Sequence, residues 1–359
     1  MNMYAVLMAG GVGTRFWPRS RSKSPKQVLN IVGEKTMIQA TVERINGLVA
    51  PENILVVTNT DQKDIIHQQI PTLQDQNFIL EPVGRNTAPC IGLAAIHIVN
   101  QDPSGVMVVL PADHLVTNVE EFRTVVKKGA EFVFENDGLL TLGIEPHYPA
   151  TGYGYIQRGE AVKELNGHTV FAVKTFAEKP NYETAVRFLE SGDFYWNSGM
   201  FIWKAATILK EIEEKLPEIY EGLMEIKEVI GQPEYPQKVD DVYKRIRGIS
   251  IDYGVMQSAE QVFVIPTDMG WNDVGSWQTV YEISPKDKND NAKVARELVA
   301  IDARGSYVYA PDKLVALVGV NNLVVVDTGD ALLICHRDRA QDVRDVVEEL
   351  KKRGLDEYL

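Results

Sequence analysis

Cysteine is nearly missing from this sequence of 359 residues, which carries only Cys90 and Cys335. Two thiols that far apart exclude a disulfide framework and a cysteine zinc cluster, and neither has the flanking His and Asp or Asn of a nucleophilic site. No apolar run reaches the roughly 20 residues of a membrane crossing, and the N-terminus lacks a charged region followed by a cleavage site. Positive charge is also scarce: 37 Lys and Arg face 50 Asp and Glu, giving a net charge of -13 and a pI near 5.1. Such a balance excludes a general nucleic-acid or anionic-membrane surface. The expectation is a cytoplasmic, soluble protein with no nucleic-acid or membrane partner.

What is present is ordinary globular material, 45% hydrophobic and 24% charged, in a chain longer than one typical core. Apolar runs and helical periodicities alternate in the first half. Met37, Ile38, Thr41, Val42 and Ile45 mark a helix, Ile54–Val57 a strand, Asp61 the cap of a helix through Ile70, and Phe78–Leu80 another strand. Pro89 opens a helix and Val106–Leu110 is the most continuous apolar strand. Repeated βαβ units predict an α/β fold with a Rossmann-like mixed, mostly parallel sheet, and ligands beyond the strands' carboxyl ends. After Tyr148 the strands and helices become less regular. A polar, turn-rich segment from Ser284 to Asn291 predicts a boundary, giving a domain at 1–284 and a small all-β domain at 292–359 with a terminal helix. The short strands of that second domain fit a β-helix or a sandwich equally.

The first strand runs into Gly10, Gly11 and Gly13, followed by Arg15, Arg19, Arg21, Lys23 and Lys26 with no acid among them. Closely spaced glycines let backbone N–H groups approach a ligand, and the cations suit phosphate oxygens. A P-loop would need Gly-Lys-Ser/Thr, and a dinucleotide fingerprint would need a glycine where Phe16 stands. Further along, Asp113 follows the Val106–Leu110 strand, where it is either a turn-former or a ligand for a divalent cation, and Asp273 sits in Gly270-Trp-Asn-Asp-Val-Gly-Ser-Trp277 with the same two readings.

Gly10, Gly11, Gly13, Thr14 and Arg15, with Pro25 and Lys26 at their set distance, resemble the signature of the sugar-nucleotide pyrophosphorylases. The resemblance runs to about Trp277 and more loosely beyond. It implies a GT-A-like nucleotidyltransferase domain followed by a left-handed β-helix used in dimer contacts, hence a homodimer. It also implies Mg²⁺ as the cofactor, held by Asp113 and Asp273, with Arg15 and Lys26 on the nucleotide phosphates; these four are the expected catalytic residues. Nucleotide contacts are expected from Leu7, Ala9, Gly10, Gly11, Gly13, Thr14, Arg15, Lys26, Glu81, Arg85, Asn86, Thr87 and Asp113.

The string Glu81-Pro-Val-Gly-Arg-Asn-Thr-Ala-Pro89 looks like the guanylyltransferase branch that acts on mannose 1-phosphate, whereas the thymidylyl and uridylyl branches carry a Gln and Gly-Leu-Ala there. Sugar-phosphate contacts are expected from Tyr153, Gly154, Glu178, Lys179 and Asn197. One departure follows Ser250-Ile-Asp-Tyr253, where the family usually has Met-Glu and this chain has Met256-Gln257. The implied reaction joins GTP and mannose 1-phosphate to give GDP-mannose and pyrophosphate. A sugar phosphate is already an anionic nucleophile, so alignment and charge neutralisation suffice and no general base is required. Another hexose 1-phosphate, or a non-catalytic role in sensing nucleotide sugars, are the alternatives.

Overall fold

A computed structural model describes residues 1–359, and its packing divides the chain into two compact units. The first comprises Met1–Gly10, Thr41–Lys63 and Ile70–Asn272; the second comprises Gly11–Ala40, Asp64–Gln69 and Asp273–Leu359. Residues 11–40, which contain the glycine-rich loop, therefore group with the C-terminal strands.

The first half alternates strictly: β1 Met3–Met8, α1 Met37–Ile45, β2 Ile54–Asn59, α2 Thr60–Gln69, β3 Phe78–Glu81, α3 Thr87–Gln101 and β4 Val106–Pro111. β5 Leu115–Val116, α4 Val119–Glu135, β6 Leu139–Ile144, β7 Gly154–Glu164, β8 Thr169–Glu178, α5 Tyr182–Ser191 and β9 Phe194–Lys204 follow. Helices α6 Ala205–Lys215, α7 Pro217–Lys227 and α8 Tyr235–Arg245 precede β10 Val262–Pro266 and β11 Trp271–Asn272. Helix starts have local causes: Asn118 Oδ1 accepts from Glu121 N at 3.2 Å to cap α4, and Asn59 Oδ1 accepts from Gln62 N at 2.9 Å at α2, the role expected of Asp61. Helix α3 begins two residues before Pro89, capped by Asn86.

Nine strands form one mixed sheet in the order β3-β2-β1-β4-β9-β6-β10-β8-β7. The pairs among β3, β2, β1 and β4 are parallel, with Leu7 opposite Leu110, while β9 enters antiparallel to both β4 and β6. Every residue of β4 and β6 is buried, as expected where helices cover both faces of a sheet. Helix α3 packs against α6 and α7, and α4 packs against β4, β6 and β9. Two glycines permit this closeness. A Cβ on Gly92 would collide with Leu223 of α7, and one on Gly129 of α4 would lie 2.8 Å from Ile202 Cδ1 of β9.

In the second unit α9 Trp277–Ile283 leads to β12 Ala292–Ile301, β13 Tyr307–Val318, β14 Leu323–Asp327 and β15 Leu332–His336, then α10 Val343–Lys352. β12, β13 and β14 form a parallel ladder and β15 closes it antiparallel. Not all of these strands are short: β13 runs unbroken for 12 residues. The core here is small: Ala303, Val308, Ala310, Leu317 and Val325. No helix of the chain is long and apolar enough to cross a membrane.

Candidate active site

In the first unit, β1 delivers Leu7 and Ala9, both buried, to Gly10. Ala9 N donates to Val57 O at 2.8 Å and Thr58 Oγ1 donates to Ala9 O at 3.0 Å, so the strand end is fixed before the glycines begin. Gly10 lies beside Glu81: a Cβ there would meet Glu81 Oε2 at 3.4 Å. Glu81 is buried and accepts from the Tyr243 hydroxyl at 3.1 Å; burial pushes its carboxyl up to about 7, the Tyr243 bond opposing this in part.

The segment expected to read the base is pinned to the 243–251 region. Arg85 Nε donates to Tyr243 O at 2.7 Å, and Thr87 Oγ1 accepts from Ile251 N at 2.8 Å. Asn86 takes φ 69°, an uncommon conformation for a side-chain-bearing residue, while its Oδ1 accepts from Thr87 N at 2.9 Å. Arg85 is thus spent on carbonyls, leaving the exposed Asn86 as the more available polar group.

Asp113 follows β4 at a half-exposed turn. His114 is held by Trp271, whose Nε1 donates to His114 Nδ1 at 3.1 Å, and its carbonyl accepts from Arg44 Nη2 at 3.0 Å. Arg44 is buried, and that burial lowers its guanidinium to about 10 against the opposing pull of Asp113.

The expected sugar contacts meet on neighbouring strands. Gly154 pairs with Glu178 across β7 and β8, and a Cβ on Gly154 would collide with Glu178 Oε2 and stand 3.3 Å from Asn197 Cβ. Glu178 is paired with the Lys179 ammonium, and Lys179 adopts φ 48°. Tyr153 packs edge-on against Trp196 and Trp271. The Asp252 carboxylate, in the Ser250-Ile-Asp-Tyr253 segment that follows the sugar-side motifs in sequence, accepts from Asn197 Nδ2 at 2.8 Å.

In the second unit the glycine-rich loop closes on its own lysine. Gly13 has φ 74°, and a Cβ on it would stand 2.5 Å from Lys26 Cβ, so both backbone sign and space demand glycine. Thr14–Phe16 form one 3₁₀ turn, with Phe16 N donating to Gly13 O at 2.9 Å. Lys26 is buried; its N donates to Val12 O at 3.1 Å and its Nζ to Asp273 O at 2.8 Å. Val274 next to it takes φ 46°, and a Cβ on Gly275 would stand 2.7 Å from Asp273 Oδ2. Arg15 and Gly11 are exposed, and Thr14 is half-buried. Arg19 and Arg21 are occupied otherwise: Arg19 lies 4.1 Å over Tyr309, and Arg21 pairs with Asp330 at 3.1 Å.

Residues 4–290 match the nucleotidyl transferase family, and residues 296–350 match the mannose-phosphate isomerase/GMP-like β-helix domain. The chain is 39% identical over 356 residues to a Klebsiella pneumoniae mannose-1-phosphate guanylyltransferase, covering 98% of this chain and 75% of that one. It is 42% identical over 361 residues to the enzyme of that name from Salmonella typhimurium, covering 99% and 75%. The chain belongs to the mannose-1-phosphate guanylyltransferase family of nucleotidyl transferases.

Two solved structures extend the likeness beyond these family members. A Thermus thermophilus protein named as a mannose-1-phosphate geranyltransferase superposes with TM-score 0.86 at 34% identity over 98% of this chain and 100% of its own. A Helicobacter pylori protein named as a mannose-6-phosphate isomerase superposes with TM-score 0.62 at 26% identity over 76% and 100%. No cluster of three or more His, Cys, Asp or Glu forms a metal centre in the chain, and Asp113 Oδ1 stands 4.0 Å from His114 Nε2.

Proposed function

We propose that this protein is a mannose-1-phosphate guanylyltransferase, converting GTP and α-D-mannose 1-phosphate to GDP-mannose and pyrophosphate. The observation that carries the reading is Lys26 seated against Gly13 with its ammonium on the Asp273 carbonyl, which joins loop, cation and acid in one packed unit. Mg²⁺ binds through one or two carboxylates plus substrate phosphates and needs no cluster of three or more protein ligands, so Asp113 and Asp273 are the residues that would hold it. When bound, such a cation neutralises phosphate charge and orients the triphosphate.

The chain's own groups do the rest. The backbone of Gly10, Gly11 and Gly13, with Thr14 and Arg15, receives the nucleotide phosphates; Lys26 neutralises charge developing at the α-phosphoryl group. An oxygen of the sugar phosphate attacks the α-phosphorus in line, the bond to the β-phosphate oxygen breaks, and pyrophosphate leaves. Leu7, Ala9, Glu81, Arg85, Asn86 and Thr87 frame the guanosine, with Arg85 acting through the fold it holds. Tyr153, Gly154, Glu178, Lys179 and Asn197 frame the sugar phosphate. A homodimer is supported by exposed apolar residues on the small sheet, Val299, Ile301, Leu314 and Val318 among them.

A panel of GTP, UTP, dTTP and ATP against mannose and glucose 1-phosphates, read by pyrophosphate release, tests the assignment. GTP with mannose 1-phosphate is expected to exceed every other pair by about tenfold or more, and Lys26→Ala to lower kcat about 10²-fold or more. Equal rates with UTP and glucose 1-phosphate would replace it with another hexose 1-phosphate reaction. Binding without pyrophosphate release would leave a nucleotide-sugar sensor. Interconversion of mannose 6-phosphate with its ketose would favour the isomerase named for the Helicobacter pylori neighbour.

A further inference from the structure

Arg44 is a buried cation that the proposed reaction does not use. It lies on α1, and only its Nη2 finds acceptors, the Thr41 hydroxyl and His114 O, the latter at 3.0 Å. Nε and Nη1 are buried with no hydrogen-bond partner, and the guanidinium carbon stands 5.5 Å from the centre of the Phe122 ring. Arginine is among the residues least often buried unless paired, because taking its charge out of water is costly. A Leu or Met would pack α1 against Phe122 without that cost.

The guanidinium sits at the turn that follows β4. Ala112 N donates to Met8 O at 3.1 Å, its carbonyl accepts from Thr41 Oγ1 at 3.4 Å, and the His114 carbonyl accepts from Arg44. The His114 ring is fixed as well, since its Nδ1 accepts from Trp271 Nε1 at 3.1 Å. Thr41 and Arg44 are three residues apart on one face of α1, so a single helix face grips the backbone on both sides of Asp113. The turn is buried at Ala112 and half-exposed at Asp113. We infer that Arg44 is a positioning residue: it fixes the backbone that carries the Asp113 carboxylate and sets a buried positive charge against it, so that Asp113 is preorganised for the divalent cation.

The inference rests on the cation-ligand role proposed above for Asp113. The helix end that carries Arg44 is itself anchored, because Arg123 of α4 donates from Nε to Arg44 O at 2.9 Å and from Nη2 to Asn46 O at 3.1 Å. The Asp113 charge pulls on the Arg44 guanidinium against the burial that lowers it. A structural tie from α1 to the His114 carbonyl needs one neutral donor. A guanidinium with two unused nitrogens supplies charge beyond that need. Groups that orient a metal ligand without touching the metal are worth roughly 10- to 100-fold in metal affinity or activity.

Calorimetric titration of the full chain with GTP alone, once with Mg²⁺ and once with EDTA, reads this without turnover. Wild type is expected to bind GTP more tightly with Mg²⁺. Arg44→Met, which keeps the length and drops the charge, should weaken GTP binding about tenfold or more with Mg²⁺ and by no more than about twofold with EDTA. Arg44→Lys, which restores a charge but not the planar fork, should recover part of the loss. In turnover, Arg44→Met should raise the Mg²⁺ concentration for half-maximal rate by a similar factor and leave KM for mannose 1-phosphate within about twofold. If Arg44→Met does not fold by circular dichroism, Thr41→Val, which removes the Nη2 acceptor and the bond to Ala112, carries the test with a smaller loss in the same direction. Unchanged GTP affinity with Mg²⁺ in a folded variant, an equal loss with Mg²⁺ and with EDTA, or no gain from Mg²⁺ in wild type overturns the inference. If Arg44→Met loses the gain that wild type shows but wild type turns over neither sugar, the reaction is wrong and the inference stands.

Discussion

The nine-stranded sheet and the four-stranded sheet of this chain solve burial in opposite ways. The large sheet is sandwiched: α3 with α6 and α7 on one side and α4 on the other leave β4 and β6 without one exposed residue. The small sheet is sided. Leu298, Ala300, Val315 and Leu317 turn to its core, while Val299, Ile301, Leu314 and Val318, on the alternate positions, face outward. The difference teaches that apolar content alone does not identify a core; the period of the pattern does. Continuous runs specify a sheet covered twice, and alternation of two apolar sets leaves one set for a partner.

The largest expected effect lies in the sandwiched sheet. Trp203 of β9 is fully buried and stacks on Phe201 at 5.1 Å between centroids. Trp203→Ala should cost about 3–5 kcal/mol in denaturant unfolding, through lost transfer energy and the cavity left behind. A cost below about 1 kcal/mol would mean that this sheet is no more tightly packed than the small one.

The second effect comes from a carboxylate buried at the sheet's end. Glu81 closes β3 with its carboxyl raised from 4.5 to about 7. The sign follows from proton binding: between pH 4.5 and 7 the folded state binds more protons than the unfolded, so stability falls as pH rises through that window. Above pH 7 the full penalty, about 3 kcal/mol, is present. Glu81→Gln should therefore stabilise the protein by up to that amount at pH 8 and by almost nothing at pH 4. Parallel unfolding curves for both proteins at the two pH values check this, and an equal offset at both would show that burial of charge is not the cause.

Much of the sandwiched sheet was legible. Val106–Leu110, Ile54–Val57 and the glycine-rich loop were read in place because continuous apolar runs and Gly13 with Lys26 are local signals. Helix α4 has its own local signals, a cap at Asn118 and Phe122, Val125, Val126, Phe132 and Val133 at helical spacing, yet the sequence reading assigned no element there. β6 and β10 were missed for a physical reason: each is a short apolar run whose identity as a strand depends on β9 and β8 beside it, not on its own pattern. The same holds at the site. The glycines, Lys26 and the acids could be named, but not that Arg85 spends its guanidinium on α8 carbonyls or that Asn197 leads to Asp252, because both partners lie far along the chain.

A smaller effect separates the helices that accompany the two sheets. Asn118 accepts a backbone bond at the start of α4, whereas Asp342 at the start of α10 makes no such bond. Asn118→Ala should cost about 1 kcal/mol and Asp342→Ala less than half of that, by chemical denaturation. Similar costs for both would make the cap unimportant and shift α4's stability to its packing.

The smallest effect on folding, and the sharpest on assembly, belongs to the outward face of the small sheet. Leu314 and Val318 are 61% and 63% exposed and stand two strand turns apart on the same side of β13. Glu at both positions removes little buried area from the single chain, so each should change unfolding free energy by no more than about 0.5 kcal/mol at low protein concentration. The same pair of charges placed inside a contact between copies would be desolvated without partners and should drive a dimer to monomer in size-exclusion chromatography with light scattering. A double variant that keeps the mass of a dimer would show that the unmatched apolar set is not the contact between copies, and a large loss of folding stability would show that it was never outward at all.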